Sequence, residues 1–366
     1  MPGIGACFMK TLFTAAEIAG AVTGTVHGDA DAAVHGVSTD SRTIKPGELF
    51  VPLIGERFDG HSFIADVLAS GIKVFITSDR RTAEAAVQGG ATYITVADTL
   101  RALGNLAACH RSRFSVPVAA ITGSNGKTTT REMLASILGR TGEGLKTSGN
   151  LNNLIGLPQM LFQLSEHHRW AVLEMGMSEP GEIDRLAEIA RPDVGVITNV
   201  SPAHLQSMGT VGAVASAKGE LFQRLASGKH AVYNADDPLV AALPSPSGVA
   251  RLSFGCGPAD VRAGDYRELG RDGQSFLLKL PSGKVPVRLK AFGRHNTLNA
   301  LAAAAAAYAL GIALQDIRDG LEAFVPFEKR FAPEDLGGIL LVDDSYNANP
   351  ASMKAALLTL GQLAGP

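Results

Sequence analysis

The stretch Val116–Ile121 is an apolar run that leads without a break into Thr122-Gly-Ser-Asn-Gly-Lys-Thr-Thr-Thr130. Such a run suits a strand buried on both faces, which requires helices packed on both sides of its sheet. The residues after the glycine turn supply the first of these helices, with Met133, Leu134, Ile137 and Leu138 on one face. Two more strand candidates follow at Ala171–Met175 and Val194–Asn199, and between them Ile183, Leu186 and Ile189 recur at helical spacing. Strand, helix and strand in alternation predict an α/β fold with a mostly parallel sheet.

The turn limits the chemistry. Glycines let the backbone bend so that its N–H groups point at phosphate oxygens, and the helix N-terminus adds a positive dipole end. Lys127 reaches the β- and γ-phosphates of a triphosphate, and the Thr128 hydroxyl is placed to ligate Mg²⁺. Gly123, Ser124, Asn125, Gly126, Lys127, Thr128 and Thr129 are therefore the expected ATP-binding residues. The first glycine of the general phosphate-loop pattern would fall at Ile121, so the match is incomplete. Alone, the turn fits kinases, motor ATPases and ligases equally.

Phosphoryl transfer with Mg²⁺ needs further oxygen ligands. Glu174 lies at the carboxyl end of a parallel strand, where such sheets bind ligands. His204 follows the strand end at Thr198-Asn199, and Lys218 stands in Ala217-Lys-Gly-Glu220. Taken singly, these three read as a solvated acid, a loop histidine and a surface lysine.

Around this centre, residues 9–97 read as a small α/β unit with strands at Leu49–Pro52, Val74–Thr77 and Tyr93–Val96 and helices at Thr14–Ala21 and Phe63–Ala69. A helix over Thr99–His110 fits either neighbouring domain. Alternating residues at Ser275–Leu280 and Val285–Leu289, joined through Pro281-Ser-Gly283, predict a hairpin. An alanine-rich helix spans Asn296–Leu310, its alanines suited to close packing on a sheet. A last strand at Ile339–Val342 and a helix at Ala351–Leu360 are too little to bury a core of their own.

A length of 366 residues implies two or three domains. With 46% hydrophobic and 19% charged residues, the composition is that of a globular protein, and a net charge of -2 points away from nucleic acid as a partner. Cys7, Cys109 and Cys256 form neither a disulfide framework nor a zinc pattern, which fits a reducing compartment. No apolar stretch is long enough to span a bilayer, and the opening residues are not a secretory signal. Met9 offers an alternative start directly before the first helix. A cytoplasmic monomer is expected.

The motifs in combination are Asp40-Ser-Arg with Pro-Gly-Glu-Leu-Phe50, Thr122–Thr130, Thr147-Ser-Gly-Asn-Leu-Asn-Asn153 and Glu174-Met-Gly176. They continue with Thr198–His204, Ala217–Glu220, Gly293-Arg-His-Asn296 and Asp343-Asp-Ser-Tyr-Asn-Ala-Asn-Pro350. In this order the chain resembles the Mur ligases, ATP-dependent enzymes that build the peptide of bacterial peptidoglycan. The last motif and Glu-Met-Gly point to the dipeptide-adding branch. The resemblance implies three domains: an N-terminal α/β domain for a UDP-linked precursor (1–97), a central ATP-binding domain (98–326), and the start of a Rossmann-like C-terminal domain, incomplete, at 327–366. It implies that D-alanyl-D-alanine is joined to the tripeptide carboxylate of UDP-N-acetylmuramoyl-tripeptide, at the expense of ATP and with Mg²⁺.

Residue by residue, Glu174 and His204 resemble the family's Mg²⁺ ligands beside Thr128, and Lys218 its carbamylated lysine. Lys127, Glu174, His204 and Lys218 are thus the expected catalytic group. Asn296 is similar to the adenine contact and Asp344 to the acid that meets the ribose. Arg330 resembles the arginine that reaches the γ-phosphate, although Lys329 replaces the usual glycine before it. Ser41 and Arg42 are the implied diphosphate or sugar contacts, and Asn150, Asn152 and Asn153 the implied muramyl-peptide contacts. Three alternatives stand beside this reading: another amino-acid-adding Mur ligase, a folylpolyglutamate synthase, and a nucleotide-binding module without turnover. The final motif argues against the first, and the N-terminal domain against the second.

Overall fold

The structure, a computed structural model, describes residues 12–86, 90–202, 208–326, 331–337, 339–345, 348 and 350–363. The chain forms two compact units, Met1–Phe114 with Leu154–Leu164, and Ser115–Asn153 with Ser165–Pro366.

In the first unit, the paired short strands β1 (Phe13–Thr14) and β3 (Ala33–Val34) lie beside a five-stranded sheet of β2 (Thr25–His27), β4 (Gly36–Ser38), β5 (Glu48–Phe50), β6 (Val74–Thr77) and β7 (Thr92–Thr95). The sheet order is β2-β7-β6-β5-β4, parallel except for β2. Every residue of β6 is buried, as its unbroken Val-Phe-Ile-Thr sequence requires. The helix Ala15–Val22 starts at a capping box in which the Thr14 hydroxyl accepts from the Glu17 N–H and the Glu17 carboxylate accepts from the Thr14 N–H. The helix Thr99–Ser112 belongs here, because Leu103 and Leu106 pack with Phe13, Ile18 and Ile94. The returning segment Leu154–Leu164 adds Ile155 and Phe162 to this core. At its end the His110 Nε2–H donates to the Leu164 carbonyl at 2.9 Å.

The second unit is built on a nine-stranded sheet. Its strands are β8 (Val118–Thr122), β9 (Leu145–Lys146), β10 (Ala171–Glu174), β11 (Val194–Ile197), β12 (His230–Asn234), β13 (Ala250–Gly255), β14 (Val261–Glu268), β15 (Gln274–Leu280) and β16 (Gly283–Leu289). They lie in the order β16-β15-β14-β13-β12-β11-β8-β10-β9. From β9 across to β14 neighbours are parallel, and β15 and β16 close the edge as the expected antiparallel hairpin. Every residue of β8, β10 and β11 is buried. On one face Ile121, Val194 and Val196 share a core with Met133, Leu134 and Ile137 of the helix Lys127–Leu138 and with Ala300–Ala307 of the helix Arg294–Ala309. On the other, Gly195 leaves room for Leu221 of the helix Val211–Gln223. The alanine run is wholly buried, so that helix approaches the strands at the limit its backbone allows.

After β8 the chain builds β9 and β10 on one side and then crosses to β11, β12 and β13 on the other. This reversal opens a crevice at the carboxyl ends of β8, β10 and β11. The hairpin of β17 (Ala332–Leu336) and β18 (Ile339–Asp343) and the helix Pro350–Leu363 follow. Ile339, Leu357 and Leu358 are exposed on them. No helix among the described residues is long and apolar enough to cross a membrane.

Candidate functional site

The crevice floor is the turn after β8. Gly123 and Gly126 have φ of +149° and +82°, conformations that side chains disfavour. A Cβ on Gly126 would stand 2.3 Å from Asn299 Oδ1, and one on Gly123 1.9 Å from Thr198 Oγ1. Both positions therefore demand glycine. The loop is also zipped to the segment after β11. Ser124 N–H donates to the Asn199 carbonyl at 2.9 Å and Asn125 N–H to Asn199 Oδ1 at 3.0 Å, while Thr198 Oγ1 donates to the Asn125 carbonyl at 2.6 Å. Gly126 starts the helix without a side-chain cap, and the positive end of the helix dipole lies at the turn. The Lys127 ammonium folds over the loop and donates to the Gly123 carbonyl at 2.8 Å.

Beside the turn lies Glu174, at the end of β10 and only 4% exposed. Its Oε2 accepts from Thr128 Oγ1 at 3.0 Å, and its Oε1 from Asn152 Nδ2 at 3.0 Å. Its backbone N–H donates to Thr147 Oγ1 at 2.9 Å. One buried basic group contacts this carboxylate, and a second is buried in the cavity next to the turn. Arg131 Nη1 donates to Oε2 at 3.3 Å. Lys218, only 3% exposed on the helix Val211–Gln223, lines a cavity of about 300 Å³ with Gly123, Ser124, Lys127, Asn152 and Asn153. Burial, and secondarily the charge of Lys127, bring the Lys218 pKa from 10.5 down to about 7. The bland reading of Lys218 as a surface helix lysine is thus overturned by the packing of that helix against β11.

Among the described residues no three His, Cys, Asp or Glu side chains gather to hold a metal. Mg²⁺ bound with a nucleotide does not need such a cage, since one or two protein oxygens complete a shell of phosphate and water. The adjacent Thr128 hydroxyl and Glu174 carboxylate fit that role.

On the other side of the turn, Asn125, Gly126 and Thr129 line a second cavity of about 330 Å³ together with Asn296, His295, Phe331 and Asp344. Asn296 is held there by donation to the Phe292 carbonyl at 2.8 Å and by acceptance from Asn299 Nδ2 at 3.0 Å. Asp344 Oδ1 accepts from the Phe331 N–H at 3.1 Å. Burial lowers the His295 pKa, which favours a neutral imidazole on that wall.

The expected residues thus converge in large part. Asn152 and Asn153 reach the Lys218 cavity, whereas Asn150 is exposed and is not among the residues lining it. Ser41 and Arg42 lie in the first unit, where Arg42 makes a bidentate pair with Asp40 at 2.9 and 2.8 Å. Hydrogen bonds from Arg42 hold the Asp40 carboxyl at a pKa of about 2. His204 and Arg330 lie outside the described residues. Sequence reasoning quoted Thr147 and Asn199 within motifs without giving either a role, and passed over Arg131 and Asn299. Arg131 and Asn299 follow closely on quoted motifs, but only the sheet order brings Arg131 and Thr147 to Glu174.

A parallel sheet with a glycine turn over its central strand, and a lysine and a hydroxyl residue opening the next helix, defines a P-loop α/β protein. Comparison with known proteins narrows the class: residues 121–307 match the Mur ligase middle domain, and residues 33–111 match the Mur ligase family catalytic domain. The chain is 38% identical to the UDP-N-acetylmuramoyl-tripeptide--D-alanyl-D-alanine ligase of Escherichia coli K12, over 96% of this chain and 77% of that protein. A crystal structure of MurF from Acinetobacter baumannii superposes with a TM-score of 0.90 at 38% identity, covering 96% of this chain and 76% of that one. MurF of Thermotoga maritima, solved in complex with ADP, gives 0.79 at 31% identity, over 88% and 74% of the two chains. The chain belongs to the Mur ligase family.

Proposed function

We propose that the protein is a cytoplasmic ATP-dependent ligase that joins D-alanyl-D-alanine to the tripeptide carboxylate of UDP-N-acetylmuramoyl-tripeptide, releasing ADP and phosphate. The observation that carries this reading is the hydrogen bond from Thr128 to Glu174 beside the phosphate turn, with Lys127 and Lys218 on one cavity wall. The names of the relatives at 38% and 37% identity support the choice of substrates. Free Cys109 and Cys256 accord with a reducing compartment.

A carboxylate is a poor electrophile, because its leaving oxygen is strongly basic. Attack of the tripeptide carboxylate oxygen on the γ-phosphorus expels ADP and leaves an acyl phosphate. The dipeptide amine then attacks the carbonyl carbon, and the tetrahedral adduct collapses to amide and phosphate. Lys127 and the positive end of the helix dipole neutralise the phosphates and hold them in line. Bound Mg²⁺, with Thr128, Glu174 and His204 as its protein groups, supplies further charge neutralisation. Asn296 and Asp344 hold the nucleoside, and the sequence resemblance assigns Arg330 to the transferred phosphoryl group. Lys218 acts as its carbamate, an anion in place of a cation. Asn152 and Asn153 meet the muramyl-peptide, and Ser41 and Arg42 the diphosphate end in the domain of the UDP-linked precursor.

The test is phosphate release that depends on both precursor and dipeptide, with ¹⁸O from the tripeptide carboxylate appearing in the phosphate. Release indifferent to either substrate would mark a generic ATPase, and phosphate without the label would rule out the acyl phosphate.

A further inference from the structure

The phosphate turn does not account for Arg131. This side chain is only 2% exposed and contacts two acids. Towards the site, Nη1 lies 3.3 Å from Glu174 Oε2, the same oxygen that accepts from the Thr128 hydroxyl. Away from it, Nη2 and Nε donate to Glu132 Oε1 at 2.6 and 3.1 Å. Glu132 Oε2 in turn meets the Lys146 ammonium. Charges therefore alternate along a line of Glu174, Arg131, Glu132 and Lys146.

The distances are unequal in an informative way. The guanidinium is anchored on Glu132 by two bonds and touches Glu174 through one long one. A buried carboxylate without a counter-charge is costly, so the Arg131 guanidinium offsets the charge of Glu174 and holds its Oε2 beside Thr128. The same positive charge repels a divalent cation at the Thr128–Glu174 pair, and Glu132 moderates that repulsion.

We propose that Arg131 is a positioning residue that acts as a resident counter-cation, holding Glu174 beside Thr128 and competing with the divalent cation for it, with Glu132 setting the strength of the competition. This rests on the Mg²⁺–nucleotide reading of the site given above. Removing the guanidinium should make the metal bind more tightly, although it strips a buried acid of its partner. Neutralising Glu132 should do the opposite, because it leaves the arginine with Glu174 alone. A role confined to supporting the fold predicts no such pair of opposite signs.

The experiment is calorimetric binding of ADP to the full chain at a series of Mg²⁺ concentrations. The wild type, Arg131→Met, Arg131→Lys and Glu132→Gln are compared, and thermal melting is followed in parallel. Arg131→Met should lower the half-saturating Mg²⁺ concentration on the order of tenfold, given a like charge a few ångströms away in a partly screened interior. Glu132→Gln should raise it several-fold, and Arg131→Lys should stay near the wild type. An unchanged or raised requirement in Arg131→Met overturns the proposal. If that variant does not fold, Glu132→Gln decides, and an unchanged or lowered requirement overturns it. Wild-type ADP binding indifferent to Mg²⁺ would instead remove the functional reading beneath it.

Discussion

Carbamylation of Lys218 requires an amine that is neutral where the enzyme works. Burial brings the pKa of this group from 10.5 to about 7. At about pH 8 roughly nine-tenths of the side chain is then neutral, against about 0.3% for an unperturbed lysine, a gain of about 300-fold in reactive amine. Its nitrogen can attack CO₂ and shed a proton, leaving a carbamate anion. Two cations lining one cavity, Lys127 and Lys218, thereby become an ion pair. Keeping the ammonium there instead costs on the order of 5 kcal/mol. The folded-state pKa is depressed, so the unfolded chain binds the proton first, and stability falls as pH drops from about 10.5 towards about 7. The assay is acetic anhydride labelling of Lys218 across pH in CO₂-free buffer, followed by peptide mapping, with exposed Lys45 as internal reference. The labelling midpoint should lie near 7, and ¹³C-bicarbonate should protect the residue and produce a carbamate ¹³C resonance that is missing from Lys218→Arg. A midpoint near that of Lys45, or no carbamate signal, refutes the reasoning.

Further outcomes follow from the same geometry. Lys127→Ala should weaken MgATP binding about 10- to 100-fold by calorimetry, the usual worth of charged hydrogen bonds to phosphate. Gly126→Ala forces a Cβ into Asn299 and a side chain into φ +82°. It should cost about 1–2 kcal/mol in thermal unfolding from the backbone alone, and should impair nucleotide binding as well. His110 has an Nδ1 with no hydrogen-bond partner, and burial lowers its pKa below 6.5. Its contribution to stability should be present above about 6.5 and lost as pH falls towards the folded pKa, because only the unfolded chain takes up the proton readily. Melting between about pH 7.5 and 5.5 should show this slope, and His110→Phe should flatten it while losing the bond to Leu164.

The strand, turn and helix around Lys127 were legible because all their determinants are contiguous. An apolar run needs covering on both faces, two glycines allow the bend, and the next residues open a helix. The hairpin of β15 and β16 was legible for the same reason, since its period of two and its turn residues are local. Strands such as β12 and β13 were not foreseen. His230–Asn234 and Ala250–Gly255 mix polar and apolar residues, and they become strands only because a parallel neighbour is already there to pair with. The helix Thr99–Ser112 was ambiguous in sequence and was allotted by packing alone. The chain order by itself determined that a phosphate turn exists and which lysine it carries. Tertiary structure decided its electrostatics. Inserting β10 between β8 and β9 brings Glu174 to Thr128, Arg131, Thr147 and Asn152, and helix packing buries Lys218. Local sequence can specify a backbone bend, but the pKa of a lysine or the counter-ion of a glutamate depends on how much water and which charges distant segments leave beside it.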